Sequence, residues 1–405
     1  MSLAFVVATY RVEAARDSLE KIAEGIAIGL TVGSWTDLPA TQQAEVASRC
    51  GSVEEIRVLE ETSQGTLAEI KIGYPEENLT DSLASLLVTV FGKLSMDGNV
   101  RLQALEIPDS YRRRFPGPQF GAAGIRQLIG VERRPLIMSI FKSCNGQSLS
   151  ELAHAFREQA LGCVDYVKDD EIFFDESLAP SIERVRRYGE IAREVAEMTG
   201  QRTRYAVNLT GTLPELFEKA ERLVEAGADA LLLNVFAYGL DVLAALARNP
   251  NIKIPIFAHP AVSGAIYSSP RTGIAAPVLL GDLLRLAGAD VVLYPSAYGS
   301  VTLDAETCRT LVERLRQPSD IHRSVLPGPA AGLHPGMVAQ LYRDLQNECI
   351  MAAGGGIQGH PDGIAAGGRA FRQAIDAMEA GEQLEDAALR HRELARALQR
   401  WGVKA

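Results

Sequence analysis

Beyond about Pro135 the chain repeats one device eight times: a short apolar run, then a helical stretch. The runs fall at 136–141, 163–168, 204–208, 230–234, 254–258, 290–294, 324–327 and 349–353. Each has the length of a buried strand rather than a helix. Two junctions are near copies of each other. Glu225-Ala226-Gly227-Ala228-Asp229-Ala230 and Leu286-Ala287-Gly288-Ala289-Asp290-Val291 both stop a helix at glycine and start a strand at once. Parallel strands need helical crossovers, and eight consecutive units close naturally on themselves. The expectation is a (β/α)8 TIM barrel over residues 121–405, with its working face at the C-terminal strand ends. An open doubly wound sheet is the less favoured alternative.

The first 120 residues read differently. Strands are expected at 4–10, 52–60, 65–73 and 100–107, with helices at 14–29 and 79–89. That β-α-β-β-α-β order predicts a ferredoxin-like α+β sandwich over 1–120, joined to the barrel by the Arg/Pro/Gly-rich stretch 109–121. A charged amphipathic helix over 384–401 closes the chain. A length of 405 residues suits two domains, or at most three.

The net charge of −10 argues against nucleic-acid and anionic-membrane partners, so an anionic substrate needs a local positive site. The five cysteines (Cys50, Cys144, Cys163, Cys308 and Cys349) are scattered without a CxxC pair. They predict a reduced, cytoplasmic protein without structural zinc. The N-terminus runs straight into a strand without a basic leader, and no apolar stretch is long enough to span a bilayer.

The second barrel strand breaks off into Lys168-Asp169-Asp170-Glu171. Three carboxylates and a lysine at one strand end resist burial unless a cation or solvent relieves them. Alternation along the strand puts Lys168 and Asp170 on one face, and Glu171 can join them as the chain turns. Oxygen ligands of this kind suit Mg²⁺. The lysine fits such a site if CO₂ has converted its amine into a carbamate, an anionic oxygen ligand. A solvated loop with a salt-bridged lysine explains the same residues without a metal.

Other strand ends add Lys142, Asn208 and His259, then Ala330-Ala331-Gly332 after strand seven and Gly354-Gly355-Gly356 after strand eight. Barrels often bind phosphate on those last two loops, where bare backbone N–H groups surround the anion and glycine lets the chain approach. The plainer readings are a surface lysine, a structural histidine and a flexible loop.

The order Lys142, Gly162 to Glu171, His259 and Gly354 to Gly356, behind an N-terminal sandwich, resembles the RuBisCO superfamily over nearly the whole chain. Three departures argue against a carboxylase. Gly29 stands where carboxylases have glutamate, six residues before the tryptophan of Trp35-Thr36. The loop Tyr294-Pro295-Ser296-Ala297-Tyr298-Gly299-Ser300-Val301 lacks their lysine, and Pro260 replaces the arginine after the strand-five histidine.

A closer resemblance is to the RuBisCO-like enolases of methionine salvage. It rests on Gly33-Ser34-Trp35-Thr36-Asp37-Leu38-Pro39, Phe91-Gly92-Lys93-Leu94-Ser95, Met138-Ser139-Ile140-Phe141-Lys142, Asn234-Val235-Phe236-Ala237-Tyr238-Gly239-Leu240-Asp241 and Ala353-Gly354-Gly355-Gly356-Ile357. The resemblance implies Mg²⁺-dependent enolisation of 2,3-diketo-5-methylthiopentyl 1-phosphate. One Mg²⁺ per subunit would sit on carbamylated Lys168, Asp170 and Glu171. Lys93 would be the base, its amine lowered by burial near Mg²⁺ and Lys142. Lys142, Lys168, Asp169, Asp170, Glu171 and His259 would contact the substrate, and Gly332, Gly354 and Gly355 its phosphate. A homodimer would bring the neighbour's N-terminal domain over the site. Ala330 departs from the expected serine. That leaves room for a related reaction, such as 5-methylthioribulose 1-phosphate isomerisation or decarboxylation of a sugar-acid phosphate, or for a non-catalytic sugar-phosphate sensor.

Overall fold

The computed structural model describes residues 4–33, 46–174 and 176–404. Most of the Gly33 to Pro39 motif lies outside the described residues. The N-terminal part contains β1 (Phe5–Ala14), α1 (Leu19–Gly29), β2 (Ser52–Thr62), β3 (Gly65–Pro75), α2 (Leu83–Leu87) and β4 (Val100–Glu106). Its strands pair antiparallel in the order β4-β1-β3-β2, the ferredoxin-like arrangement. Period-two alternation buries Val6, Ala8, Tyr10 and Val12 of β1 together with Ala68, Ile70, Ile72 and Tyr74 of β3. The first helix starts at Leu19 rather than 14, because β1 keeps pairing with β3 as far as Ala14. A two-residue strand, β10 (Gly273–Ile274), comes from the second half of the chain and adds parallel to β4. It is too short to leave a sequence pattern.

The barrel strands are β5 (Leu136–Ile140), β6 (Tyr166–Lys168), β7 (Arg204–Asn208), β8 (Ala230–Asn234), β9 (Ile256–His259), β11 (Val291–Pro295), β12 (Leu326–Ala330) and β13 (Ile350–Ala353). They run parallel in the order β12-β11-β9-β8-β7-β6-β5-β13. Helix α3 (Gly121–Ile129) precedes them. Between and after the strands lie α4 (Leu149–Leu161), α5 (Ser181–Thr199), α6 (Leu213–Glu225), α7 (Leu240–Arg248), α8 (Leu283–Ala287), α9 (Ala305–Arg316), α10 (Val338–Leu345) and α11 (Ile364–Glu379). Alternate residues of the strands, among them Met138, Tyr166, Leu232, Phe257 and Leu293, fill the interior. The barrel is therefore a packed core, and Ile125 of α3 joins it at the end opposite the site.

Strand β6 is shorter than the expected 163–168, because Cys163 sits at φ +56° in the turn leaving α4. The seam between β12 and β13 has no ladder, for a reason written in Leu326-Pro327-Gly328-Pro329-Ala330. Leu326 donates its N–H to Asp290 on the β11 side. Successive N–H groups alternate sides, so Pro327 and Pro329 are the positions facing β13, and proline has no N–H to give.

The expected C-terminal helix is two pieces, Leu384–Ala388 and α12 (Arg392–Trp401), broken at an extended His391. The break lets α12 dock. Arg369 and Gln373 of α11 each hold a Glu393 carboxylate oxygen at 2.9 Å, and Trp401 stacks near His334. The Gln373 and Arg369 hydrogen bonds pull the Glu393 carboxyl down to about 2, so its stabilising effect exists above the unfolded value and fades as pH falls from about 4.3 toward 2. The stability difference between wild type and Glu393→Gln, measured by denaturant melts from pH 6 to pH 3, is expected to shrink as the pH drops. A difference that is constant with pH contradicts this.

Candidate active site

The mouth of the barrel is organised by the end of β6. Tyr166 belongs to the interior cluster, so alternation sends Lys168 inward as well, while Val167 and Asp169 face the helices. The Asp169 carboxylate is fully buried in that outer layer. It accepts from Tyr205 Oη at 2.6 Å, from Asn208 N at 3.0 Å and from Arg184 Nη2 at 3.1 Å. Arg184 in turn lies over the Phe173 ring at 4.2 Å. The structure thus separates Asp169 from its neighbours: its carboxylate anchors the turn, and its carbonyl accepts from Lys168 Nζ at 2.9 Å. Arg184→Met leaves a buried carboxylate without its cation. Urea unfolding is expected to show a loss of about 3–5 kcal/mol, and a loss under 1 kcal/mol contradicts the anchor.

Lys168, Asp170, Glu171, Lys142 and His259 do come together. Lys168 is 1% exposed and its Nζ lies 3.5 Å from Glu171 Oε2. Burial pushes its amine below the ordinary lysine value, against the pull of Glu171 and Asp170. Burial alone would raise the Glu171 carboxyl, but Lys168, a backbone N–H and Lys142 outweigh it and hold the group low. Lys142 Nζ donates to Asp170 Oδ2 at 2.5 Å. His259 accepts the Ala261 N–H on Nδ1 at 3.2 Å, so its proton is on Nε2, 3.4 Å from Glu171 Oε2. Burial first, then Lys168, keeps this imidazole well below its usual value and therefore neutral.

Two strand-end amides complete the mouth. Asn234 Nδ2 holds the Glu171 carbonyl at 3.0 Å and Asn208 Nδ2 holds it at 3.3 Å. Both carboxamide oxygens are buried without a partner. Asn208 is expected at a strand end from its place in the sequence, but no role is expected for it or for Asn234. The available signal was an asparagine closing each of two consecutive barrel strands.

The glycine loops nest against each other across the mouth. Ala331 and Gly332 both take left-handed backbone, at φ +72° and +87°. Ser300 N donates to the Ala331 carbonyl at 2.7 Å, tying the loop after β11 to the loop after β12. Gly355 opens a short helical turn, Gly355–Gln358, so the first N–H groups of that turn have no intrahelical acceptor. A Cβ on Gly355 would meet nothing within 4 Å, whereas one on Gly354 would lie 2.6 Å from Lys142 Cε. Gly354→Ala is therefore expected to push Lys142 off the mouth. Steady-state kinetics should show KM for a phosphorylated substrate rising by roughly tenfold, and an unchanged KM counts against this packing.

Lys93 is not part of this cluster. It follows a π-helical stretch, Val88–Gly92, and is exposed. It lines a cleft of about 630 Å³ whose walls, including Glu13, Ile26, Met96 and Asn99, all belong to the N-terminal part. Among the described residues of one chain, none provides the burial expected for this lysine.

A family model for the ribulose bisphosphate carboxylase large chain, catalytic domain, matches residues 121–401. The chain belongs to the RuBisCO large-chain family. It is 50% identical, over 98% of both chains, to a 2,3-diketo-5-methylthiopentyl-1-phosphate enolase from Geobacillus thermodenitrificans. A relative of the same name from Exiguobacterium sibiricum is 48% identical over 99% of this chain and all of its own. Among solved structures, a rubisco-like protein (MtnW) from Alicyclobacillus acidocaldarius superposes with a TM-score of 0.94 at 56% identity, covering 98% of this chain and 100% of that one. Octameric RuBisCO from Pyrococcus horikoshii gives 0.89 at 32% identity, covering 99% and 94%. The resemblance drawn from the sequence is thus borne out at the level of family and fold.

The residues at the mouth can be weighed against the family's metal. Among the described residues no three His, Cys, Asp or Glu side chains are grouped to hold a metal ion. The mouth offers two carboxylates and a lysine, so an all-oxygen triad needs carbamylation of Lys168. The buried, partnerless oxygens of Asn208 and Asn234, on the residues that grip Glu171, suit donors such as the water shell of a hard cation. The donor set fits Mg²⁺ on those terms. No helix among the described residues is long and apolar enough to cross a membrane.

Proposed function

We propose that this RuBisCO-like chain is an enzyme that enolises 2,3-diketo-5-methylthiopentyl 1-phosphate, the compound in its relatives' names, and that it is not a carboxylase. The observation that carries the reading is the convergence of Lys168, Asp170 and Glu171 at a mouth shared with the glycine loops. Carbamylated Lys168, Asp170 and Glu171 would hold one Mg²⁺ per subunit. When bound, that ion supplies Lewis-acid stabilisation of the negative charge developing on the diketone oxygens.

The chain's own groups do the rest. Backbone N–H groups at Gly332, Gly354 and Gly355 hold the phosphate and fix which carbon faces the base. Lys142, and His259 through its Nε2–H, hold substrate oxygens. Lys93, as the free amine, removes a proton from the phosphate-bearing carbon. The C–H electron pair becomes the C1–C2 double bond, and the C2 carbonyl pair moves onto its oxygen, which takes up a proton. Atoms and electrons balance without an oxidant, which makes the reaction an isomerisation. Because Lys93 is exposed in the single chain, the reading requires a homodimer in which one chain's N-terminal domain covers the other's barrel mouth.

An ultraviolet assay of enol formation from the methylthio diketone phosphate, run beside C1 hydrogen exchange in D₂O, tests the reading. Enol formation with exchange is expected. Neither signal, with Mg²⁺ and bicarbonate present, refutes it. Turnover of 5-methylthioribulose 1-phosphate instead would move the assignment to the isomerase of the same scaffold.

A further inference from the structure

A second charged cavity lies far from the glycine loops, where the N-terminal part meets the outer helices of the barrel. It measures about 210 Å³ and is lined by the end of β4, the connecting segment and the helices α8 and α9. Three guanidinium groups converge on it, from Arg112, Arg285 and Arg314. Among the described residues none of the three makes an ion pair within 4.0 Å. Arg285 is held by three carbonyls: Nη2 donates to His322 at 2.8 Å, Nε to Arg323 at 3.1 Å and Nη1 to Arg314 at 3.1 Å. Its charge is therefore fixed in place. Arg112 donates from Nη2 to the Ile107 carbonyl at 3.2 Å, but its Nε is buried without a partner.

Facing them is Asp282, whose Oδ2 is also buried without a partner. It closes a π-helical stretch, Pro277–Asp282, that runs directly into α8. Single π-turns are frequent at functional sites because they displace one side chain from the helical register. Burial pushes this carboxyl up to about 6, against the pull of Arg314, Arg112 and Arg285. The opposite charges are thus gathered around one space without touching. That arrangement is costly unless something between them accepts from the arginines and donates to the aspartate.

The geometry points to a binding site for the monohydrogen phosphate dianion at this seam. Glu106 also lines the cavity, but its exposed carboxylate lies 4.0 Å from Lys71 Nζ, which leaves three guanidinium charges to balance Asp282 and one dianion. The phosphate oxygens accept from Arg112 and Arg314, the bidentate chemistry that arginine favours. The single P–OH donates to Asp282 Oδ2. Sulfate has the same shape and charge but no proton to give, so it would set an oxygen against a carboxylate. The site should therefore select phosphate or arsenate over sulfate. An occupied site would tie the connecting segment to α8 and α9.

The glycine loops can also take free phosphate, so the test must separate the two places. Crystals of the full chain grown without phosphate and soaked in arsenate should show an anomalous arsenic peak between Arg112, Arg314 and Asp282. Equilibrium dialysis with radiolabelled phosphate should show one class of site that is lost, or weakened at least tenfold, in Arg314→Gln and Arg112→Gln. Melts without phosphate check that these variants fold. Sulfate should compete poorly for that class in wild type and at least tenfold better in Asp282→Asn, whose amide can donate to it. Absence of the arsenic peak overturns the proposal. So does phosphate stoichiometry that neither arginine variant changes, or sulfate competing equally in wild type and Asp282→Asn.

Discussion

Lys168→Met is expected to remove essentially all enolase activity while leaving the fold intact. Lys168 is 1% exposed, and methionine replaces its stem with an apolar chain of similar volume. Removing the buried ammonium relieves its desolvation penalty but takes the closest cation from Glu171, which is 30% exposed, so the two effects oppose and the melting temperature should change little. What is lost is the buried amine that, on the proposed reading, CO₂ converts into the third oxygen ligand beside Asp170 and Glu171. Lewis-acid stabilisation supplies several kcal/mol, so activity should fall on the order of a thousandfold. Mg²⁺ titration by calorimetry gives a readout independent of turnover: the bicarbonate-dependent heat seen in wild type should vanish. A variant that keeps that heat, or keeps full activity, removes Lys168 from the metal site.

Lys93→Ala should reduce turnover by roughly 10²–10⁴-fold, the usual contribution of a positioned base. KM should change little, because Lys93 is expected to act on the reacting proton rather than hold the phosphate. C1 hydrogen exchange in D₂O should disappear with turnover, and small alkylamines should restore part of it. The same variant tests the assembly. Lys93 lines a cleft of the N-terminal part and Lys168 lies at the barrel mouth, so the two reside on surfaces that a second chain would join. Co-expressed Lys93→Ala and Lys168→Met chains, each inactive alone, should recover about a quarter of wild-type activity per chain, because randomly mixed dimers carry one intact site in every four. No recovery in verified mixed dimers means that each site is built within one chain.

β7 and β8 were bounded correctly because their apolar runs are flanked by unambiguous breaks, helix-stop glycines and strand-end asparagines. The start of β6 was misplaced because Cys163 is apolar yet sits at φ +56°, and backbone sign cannot be read from a thiol. The β10–β4 pairing was invisible because two residues carry no period. At the site, Lys142, Lys168, Asp170, Glu171 and His259 were legible as strand ends. The grip of Asn208 and Asn234 on Glu171 was not, since it depends on where a carbonyl points after a turn.

The sequence by itself determined the eightfold strand–helix alternation, the ferredoxin-like strand order and the placing of charged and glycine residues at strand ends. These follow from local periodicity and from glycine's backbone freedom, which are properties of neighbours in the chain. Only the tertiary structure decided that Asp169 turns outward to Arg184 and Tyr205 while Lys168 turns inward to Glu171. It also decided that Lys93 stands exposed in its own cleft, and that three arginines meet one aspartate at the seam. Those facts depend on which face of each element is buried against which partner. That choice is made by packing between residues far apart in sequence, where a local pattern carries no information.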